Sequence, residues 1–203
     1  MELKGKLAKI IVYGCQMNER DSETVAGYLR DIGCDITEDS GKASLILYMT
    51  CCVRGNAEDR ALGNLAEAKR LKKARPDLIV GVCGCMVQEE WVQGELQGRL
   101  SWIDLAFGTH NLHRLPELLA RLEAGERVIE VWESAQEVVE DLPVIRKDDL
   151  KAFVNITYGC DNFCTYCIVP YVRGRERSLR SSDILDECMA AASYGAREIT
   201  LLG

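Results

Sequence analysis

The chain has 203 residues, of which 47% are hydrophobic and 28% are charged, with a formal net charge of −7. This composition is typical of a globular protein, and no apolar run approaches the roughly 18 residues of a membrane-spanning helix. The acidic balance argues against a generally basic nucleic-acid-binding surface but is compatible with a local basic patch. Residues 1–14 lack the long apolar core and cleavage site of a secretion signal, so we expect a cytoplasmic protein without membrane partners.

Residues 1–133 alternate between short apolar runs and amphipathic helical stretches. The spacing of apolar residues predicts strands over residues 7–13, 45–48, 78–82, 103–106 and 128–131. Between them it predicts helices over residues 21–32, 54–74, 86–96 and 112–123, the first beginning at the acidic segment Asp21-Ser22-Glu23. Strands that alternate with helices indicate an α/β domain built on a doubly wound parallel sheet.

Residues 134–150 are charged and contain a proline, so we interpret them as a linker. A second α/β pattern occupies residues 151–203, with a strand over 152–157, a cysteine-rich loop, a helix over 182–194 and a strand over 198–202. The chain stops on this apolar strand, whose edge would be unpaired. We therefore expect the 203 residues to be an amino-terminal fragment of a longer protein, with a truncated second domain, and to be inactive alone.

The densest of the cysteine groups lies in YGCDNFCTYC, where Cys160, Cys164 and Cys167 have the spacing C-x3-C-x2-C. In a reducing compartment, cysteines are more often metal ligands or catalytic groups than disulfides. Three thiolates on one loop can bind three irons of a four-iron cluster and leave the fourth iron open to a small molecule. The alternative is a zinc loop with a distant fourth ligand, but neither histidine, His110 or His113, is near this loop in the sequence.

Three more cysteines, Cys15, Cys51 and Cys85, each follow a predicted strand of the first domain. Loops that leave the carboxyl ends of parallel strands gather along one edge of the sheet, where ligands bind. The pattern therefore predicts a second three-cysteine site assembled from distant parts of the chain.

The remaining cysteines fit these groups less well. Cys52 is adjacent to Cys51, and neighbouring side chains on an extended loop point apart, while Cys83 lies inside an apolar strand. Exchanging Cys52 for Cys51, or Cys83 for Cys85, gives the alternative ligand sets. Cys34 and Cys188 have no partner in register and are interpreted as small buried hydrophobic residues.

With Tyr166 before its last cysteine, the loop resembles the C-x3-C-x-aromatic-C motif of radical S-adenosylmethionine (SAM) enzymes. The resemblance implies that residues 151–203 begin a (β/α) partial barrel. It also implies that the open iron chelates the amino and carboxylate groups of SAM, which one electron cleaves to methionine and a 5′-deoxyadenosyl radical. Tyr166 would lie against the adenine side of SAM, and its alternative role is that of a packing aromatic residue.

Motifs along the whole chain resemble the methylthiotransferase family: YGCQMNERDSE, TCCVRGNAEDRA, VCGCMVQ, FGTHNLHRLPELL and YGCDNFCTYCIVPYVRGRERS. YGCQMN is like the tRNA-modifying branch, whereas the branch that acts on a ribosomal protein typically has GCPKN and the threonylcarbamoyladenosine branch GCKVN. Two positions depart from the family pattern: Met49 stands where asparagine is usual, and Leu179 where arginine is usual.

This second resemblance implies two [4Fe–4S] clusters with different roles. A cluster on Cys15, Cys51 and Cys85 would carry a sulfur that one SAM methylates, and the cluster on the second cysteine loop would generate the radical from another SAM. The implied reaction adds a methylthio group to C2 of N6-isopentenyladenosine beside the tRNA anticodon, where an inert aromatic C–H bond demands a cofactor. The implied partners are tRNA, an electron donor such as flavodoxin or ferredoxin, and a sulfur donor.

Other interpretations are a methylthiotransferase of another branch, an inactive iron–sulfur or zinc-binding fragment, and a thiol–disulfide protein. The last is disfavoured because no C-x-x-C opens a helix in the first domain. Two basic stretches are further candidates for RNA contact. The first lies at the end of the second predicted helix, where we favour a solvated surface; it contains Lys69, Arg70, Lys72, Lys73 and Arg75. The second lies beside the second cysteine loop, where phosphate contact and salt bridges are equally favoured; it contains Arg173, Arg175 and Arg177.

Overall fold

The structure, a computed structural model, describes residues 2–53, 55–134, 139 and 142–203. The predicted helix start at Arg54 and much of the predicted linker lie outside the described residues. The first part contains the strands and helices β1 (Leu7–Val12), α1 (Gln16–Asp31), β2 (Asp35–Ile36), β3 (Leu45–Thr50), α2 (Gly55–Ala74), β4 (Ile79–Gly84), α3 (Glu90–Gln97), β5 (Leu105–Phe107), α4 (Leu115–Glu123) and β6 (Val128–Glu130). Short 3-10 helices at Cys85–Gln88 and Leu112–Arg114 precede α3 and α4.

The six strands form one parallel sheet in the order β2-β1-β3-β4-β5-β6. Each strand is separated from the next by a crossover, as parallel pairing requires. The register brings three strand ends level: Val12 of β1 pairs with Met49 of β3, and Met49 in turn pairs with Cys83 of β4. The loops that leave these strands therefore start side by side.

Helices cover both faces of the sheet, which confirms the predicted doubly wound architecture. Along β3, Leu45, Leu47 and Met49 pack with α1 and α4, whereas Ile46 and Tyr48 pack with α2 and α3. All six residues of β3 are buried, because each face is covered by helices. Burial of a leucine side chain contributes about 1.5–3 kcal/mol, so β3 is the centre of the core.

The second part contains β7 (Lys151–Asn155), β8 (Thr157–Tyr158), α5 (Val169–Val172), β9 (Arg177–Ser178), α6 (Ser181–Ser193) and β10 (Glu198–Leu202). Strands β7 and β10 pair in parallel, with α6 between them along the chain. This is the first βαβ unit of the partial barrel. Strands β8 and β9 form a short antiparallel pair that encloses the second cysteine loop. The sequence patterns predicted neither α5 nor β9.

Helix α1 joins the two parts of the molecule. It begins at Gln16, five residues before the predicted start at Asp21, and Cys15 is the residue before its first turn. Its amino-terminal half buries a run of polar side chains: Asn18, Arg20, Asp21, Ser22, Glu23 and Thr24. These face the second part, and the described end of the linker also packs on α1, where the Ile145 amide donates to the Glu23 carbonyl at 3.0 Å.

No helix over the described residues combines the length and the apolar character that crossing a membrane requires.

Candidate cysteine sites

Cys15, Cys51 and Cys85 lie at the carboxyl ends of β1, β3 and β4. Cys51 and Cys85 directly follow their strands and are fully buried, whereas Cys15 is half-buried. The strand ends are level in the register, so the three residues start from neighbouring positions at one edge of the sheet. We call these three residues, together with Cys52, the first thiol group.

Two glycines allow the chain to come this close at the sheet edge. Gly14 has φ +144°, and a Cβ there would lie 2.3 Å from the Cβ of Cys51. Gly84 has φ +98°, and a Cβ there would lie 2.3 Å from the carbonyl oxygen of Thr50. Glycine adopts such φ values without strain and leaves room for the neighbouring strand. Each cysteine loop therefore depends on the glycine beside it.

The thiol of Cys51 lies beside the sulfur of Cys15. This neighbour lowers the pKa of Cys15 to about 5, and the amide N–H groups of Asn18 and Met17 at the start of α1 lower it further against the opposing effect of burial. The same contact, together with burial, raises the pKa of Cys51. Cys15 is thus the thiolate of this pair, as expected of a cysteine at a helix amino terminus.

Cys52 forms the second pair of the group, because its thiol lies beside the sulfur of Cys85. This contact lowers the pKa of Cys85 to about 7 against the effect of burial, while it raises the pKa of Cys52. Adjacent residues Cys51 and Cys52 therefore point to different partners, as predicted, but both partners belong to the same group. The sequence analysis offered Cys52 only as an alternative to Cys51, and its place as a ligand stays a prediction.

The four thiols lie in two pairs, and over the described residues no three His, Cys, Asp or Glu side chains surround a common centre as a formed metal site does. The chemistry of the donors nevertheless fits an iron–sulfur cluster, which cysteine thiolates hold. Cys15 and Cys85 have lowered pKa values, and the thiolate is the form that binds metal.

Asn18, the last residue of the motif QMN, forms hydrogen bonds at the edge of the sheet beside this group. Its side-chain amide donates to the carbonyl of Thr50 at 2.7 Å and to the carbonyl of Tyr13 at 3.2 Å. Thr50 in turn donates its hydroxyl to the carbonyl of Cys83 at 2.6 Å. These bonds link the ends of β1, β3 and β4, so Asn18 holds in place the strands that carry the cysteines.

Arg173 enters the first thiol group from the second part of the molecule. It follows α5, which packs on the 3-10 turn that contains Cys85. The guanidinium is buried and donates to Asp21 Oδ2 at 2.8 Å and to Asn18 Oδ1 at 3.0 Å, and its positive charge lowers the pKa of Cys85. Burial opposes its charge, but Asp21 and Cys85 raise the pKa of Arg173 above its usual value. The residue is therefore a buried cation beside a thiolate.

The second cysteine loop is more open than the first group. Cys160 and Cys167 are half-buried and Cys164 is exposed. The Cys160 amide donates to the Gly174 carbonyl at 3.1 Å, the Cys167 amide to the Cys164 carbonyl at 2.9 Å, and Asn162 Nδ2 lies 3.3 Å from Cys160 Sγ. The loop is thus anchored at its base by backbone bonds, and Cys164 is exposed to solvent. A loop with an exposed and two half-buried thiols fits a cluster that must also accept a small molecule.

Tyr166 has 91% of its surface exposed, so the alternative role of a packing aromatic residue is wrong for the part of the chain that the structure describes. Its expected contact with the adenine of SAM stays a prediction. The aromatic residue that does pack near this loop is Phe163, whose ring meets Tyr171 edge-on and lies under the guanidinium of Arg175.

The remaining cysteines lie apart from both groups. Cys83 and Cys34 are fully buried in the core, as predicted, and Cys83 Sγ lies 2.9 Å from Met49 Sδ. Met49, the position at which the resemblance implies asparagine, is therefore a core residue. Cys188 was expected to be buried but is only partly covered, because α6 leaves most of its surface exposed.

The basic stretch at the end of α2 has structural contacts. Lys72 binds Asp104 at 2.7 Å, and Arg75 donates to the carbonyls of Gly41 and Ala43. Of the stretch after the second cysteine loop, Arg173 is buried in its ion pair, which favours the salt-bridge alternative there. Arg175 is largely exposed, with a long contact of 3.5 Å to Asp161 and its guanidinium over the Phe163 ring.

His110 lies beside the segment that carries Arg173. It is 4% exposed, its ring borders Gly174, and neither ring nitrogen has a hydrogen-bond partner among the described residues. Burial lowers the pKa of His110 to about 4, and the positive charges of Arg177 and Arg173 lower it further. The imidazole is therefore neutral near pH 7.

In the comparison with known protein families, two different families match the two parts of the chain. Residues 8–108 match the family described as "Uncharacterized protein family UPF0004", and residues 154–203 match the Radical SAM superfamily. The first match covers the sheet domain from β1 to β5, and the second runs from the end of β7 through the cysteine loop to the end of β10.

Relatives that are similar over nearly the whole chain are described as tRNA-2-methylthio-N(6)-dimethylallyladenosine synthases. The protein of Alkaliphilus oremlandii is 54% identical over 98% of this chain, and that of Bacillus subtilis is 51% identical over 98%. A relative in Clostridium perfringens is 51% identical over the same share. The chain spans 43%, 39% and 44% of the lengths of these three relatives, respectively.

Proposed function

The chain belongs to the radical SAM methylthiotransferase family, and we propose that it takes part in adding a methylthio group to C2 of N6-isopentenyladenosine in tRNA. The observation that carries the proposal is the presence of two separate thiol groups in one body. Membership of the Radical SAM superfamily implies one [4Fe–4S] cluster and SAM, which account for the second cysteine loop only. The first thiol group calls for a further function, and sulfur donation is the one that the named relatives supply.

We assign Cys160, Cys164 and Cys167 to the SAM-binding cluster and Cys15, Cys51 and Cys85 to a second [4Fe–4S] cluster. When bound, the clusters supply the one-electron and sulfur chemistry that an inert aromatic C–H bond requires. Within the chain, exposure of Cys164 and Tyr166 leaves an approach for SAM at the second loop. Burial of Cys51 and Cys85 keeps water away from these two thiols, whereas Cys15 and Cys52 are half-buried.

The proposed partners follow from this reaction. They are tRNA, an electron donor such as flavodoxin or ferredoxin, and a sulfur donor, and tRNA places the reaction in the cytoplasm. Among the basic residues after the second loop, exposed Arg175 is available to a phosphate, whereas Arg173 is engaged inside the protein. The motif YGCQMN favours tRNA over the ribosomal-protein branch.

Anaerobic reconstitution with iron and sulfide tests the assignment of the two groups. The unaltered chain should bind about eight irons, because each group would hold one four-iron cluster. Alanine at Cys160, Cys164 and Cys167 should halve the iron content and abolish SAM cleavage. Alanine at Cys15, Cys51 and Cys85 should also halve the iron content but leave SAM cleavage by the other cluster. Stoichiometric zinc without iron in the unaltered chain would contradict the assignment.

The substrate is tested in cells. A strain that lacks the gene should lose the 2-methylthio form of N6-isopentenyladenosine from its tRNA, and the full-length gene should restore it, as read by nucleoside mass spectrometry. The same gene with alanine at Cys15 should fail to restore it. Unchanged tRNA in the deletion strain, together with a ribosomal protein that has lost a methylthio group, would reject the tRNA proposal in favour of the other branch.

A further inference from the structure

Arg173 is the one side chain described above that connects the two cysteine sites directly. Its backbone lies beside the second loop, since the next residue, Gly174, accepts the Cys160 amide at 3.1 Å. Its guanidinium reaches the other way and donates to Asn18 Oδ1 at 3.0 Å, the same oxygen that lies 4.0 Å from Cys85 Sγ of the first site. Only 6% of the residue is exposed, so water contributes little to compensating its charge.

We propose that Arg173 is a positioning residue that supplies the first thiol group with a buried positive charge. The inference rests on the proposed function, because it assumes that the first group holds an iron–sulfur cluster. Hydrogen bonds to the sulfurs and the net charge around a cluster set its reduction potential. A guanidinium beside Cys85 should make the cluster easier to reduce, because reduction adds negative charge next to a fixed cation.

Replacing Asp21 tests the proposal, because it should shift the reduction potential in the direction opposite to the replacement of Arg173. Its carboxylate lies 2.8 Å from the guanidinium and is buried with it, so it compensates the charge of Arg173. Removing the Asp21 charge should therefore leave the cation of Arg173 less compensated. A purely structural role for the ion pair predicts that both single changes disturb the site in the same way, because each breaks the same contact.

The experiment measures the midpoint potential of the first cluster in a parent with alanine at Cys160, Cys164 and Cys167, so that only one cluster can form. Arg173→Met should shift the potential to more negative values, Arg173→Lys should return it most of the way, and Asp21→Asn should shift it to less negative values. Iron content is measured for each variant. A matched control is the exposed ion pair of Arg99 and Glu95, at 2.6 Å, where Arg99→Met and Glu95→Gln should leave the potential unchanged.

The outcomes separate this inference from the proposed function. Arg173→Met and Asp21→Asn with potentials equal to that of the parent, or shifted in the same direction, would overturn the inference while the cluster assignment stands. A parent without iron would overturn the cluster assignment, and the inference with it. If Arg173→Met alone fails to fold, the potentials of Asp21→Asn and Arg173→Lys still show in which direction the charge of Arg173 shifts the potential of the cluster.

Discussion

Cys15 sits between the end of β1 and the first turn of α1, and its neighbours determine its chemistry before any metal binds. Its sulfur lies beside the Cys51 thiol and the first amides of the helix, which lower its pKa. Its partner Cys51 is buried and has a raised pKa, so the two neighbouring thiols differ in ionisation. The half-exposed Cys15 should therefore be the most reactive sulfur of the pair.

Alkylation of the metal-free chain tests this difference. With its pKa near 5, Cys15 should react with iodoacetamide at a nearly constant rate between about pH 8 and pH 6, and the rate should fall only below about pH 5. An ordinary thiol such as glutathione loses about tenfold in rate per pH unit over the same range. Peptide mass spectrometry gives the rate at Cys15, and a rate that follows glutathione would contradict the assignment of the thiolate.

His110 predicts a dependence of stability on pH. Its pKa is about 4 in the folded protein and 6.5 when unperturbed, so between these values the unfolded chain binds a proton that the folded chain does not. The free energy of unfolding should therefore be unaffected by His110 above pH 6.5 and fall as the pH approaches 4, by up to about 3 kcal/mol.

Urea unfolding at a series of pH values checks this contribution. His110→Gln should remove most of the decrease between pH 6.5 and 4. The control is His113→Gln, because His113 is only half-buried and should contribute less. Equal pH slopes for the unaltered chain and His110→Gln would show that His110 is not held neutral by the fold.

At the scale of the elements, Gly14 allows the chain that leaves β1 to pass close to Cys51. Gly14→Ala would place a methyl group 2.3 Å from the Cβ and 3.0 Å from the sulfur of Cys51, at a φ of +144°. We expect the change to cost about 2–3 kcal/mol of stability and to lower reconstituted iron from about eight to about four per chain, since the first group alone is displaced.

The control for Gly14 is Gly63, within α2, where an added Cβ meets nothing within 4 Å. Gly63→Ala should keep the full iron content and stabilise the helix by about 0.5–1 kcal/mol. Urea unfolding and iron analysis of both variants decide the point. Full iron binding by Gly14→Ala would mean that the loop adapts without moving the cysteine.

The central strands of the sheet could be predicted because both of their faces are apolar. The run LILYMT of β3 and the run before Cys85 are buried on both sides, so their ends, and the cysteines after them, could be located from the sequence. Strand β2 has only two residues, which is too short for periodicity to indicate. The helix α5 has four residues and includes Pro170, so no amphipathic pattern marks it.

The start of α1 and the role of Arg173 could not be predicted for a common reason. Hydrophobic periodicity assumes that polar residues face water, whereas Asn18, Arg20 and Asp21 are buried against the second part of the chain. Their partners, Arg173 and Glu187, are more than 150 residues away. Such pairing depends on the assembled fold and leaves no local signal in the sequence.

At the scale of the whole molecule, ion pairs connect the sheet domain to the second part. Glu187 of α6 accepts bonds from Arg20 of α1 and from Arg146 of the linker segment, both at 2.7 Å. Arg146 also binds Glu23 at 2.9 Å. The side chains of Arg20 and Arg146 are only 7% and 17% exposed, so each guanidinium depends on its carboxylate partners.

Glu187→Gln should destabilise the chain by about 2–3 kcal/mol, because it leaves two largely buried guanidinium groups with less compensation. Its control is Glu198→Gln, which breaks an exposed pair with Lys151 at 3.5 Å and should cost less than about 1 kcal/mol. Urea unfolding measures both. Equal losses for the two variants would show that the junction does not depend on Glu187.

The polar half of α1 also bears on how the chain folds during synthesis. All six strands of the first sheet precede residue 131, whereas Arg146, Arg173 and Glu187 emerge from the ribosome later. The nascent sheet domain can therefore form while the face of α1 that awaits its partners stays hydrated by its own charges. An apolar face at that position would have exposed a hydrophobic surface to other nascent chains until the second part was synthesised, which favours aggregation. Because this face of α1 is charged, the sheet domain can stay hydrated until the second part is synthesised and can then form ion pairs with it.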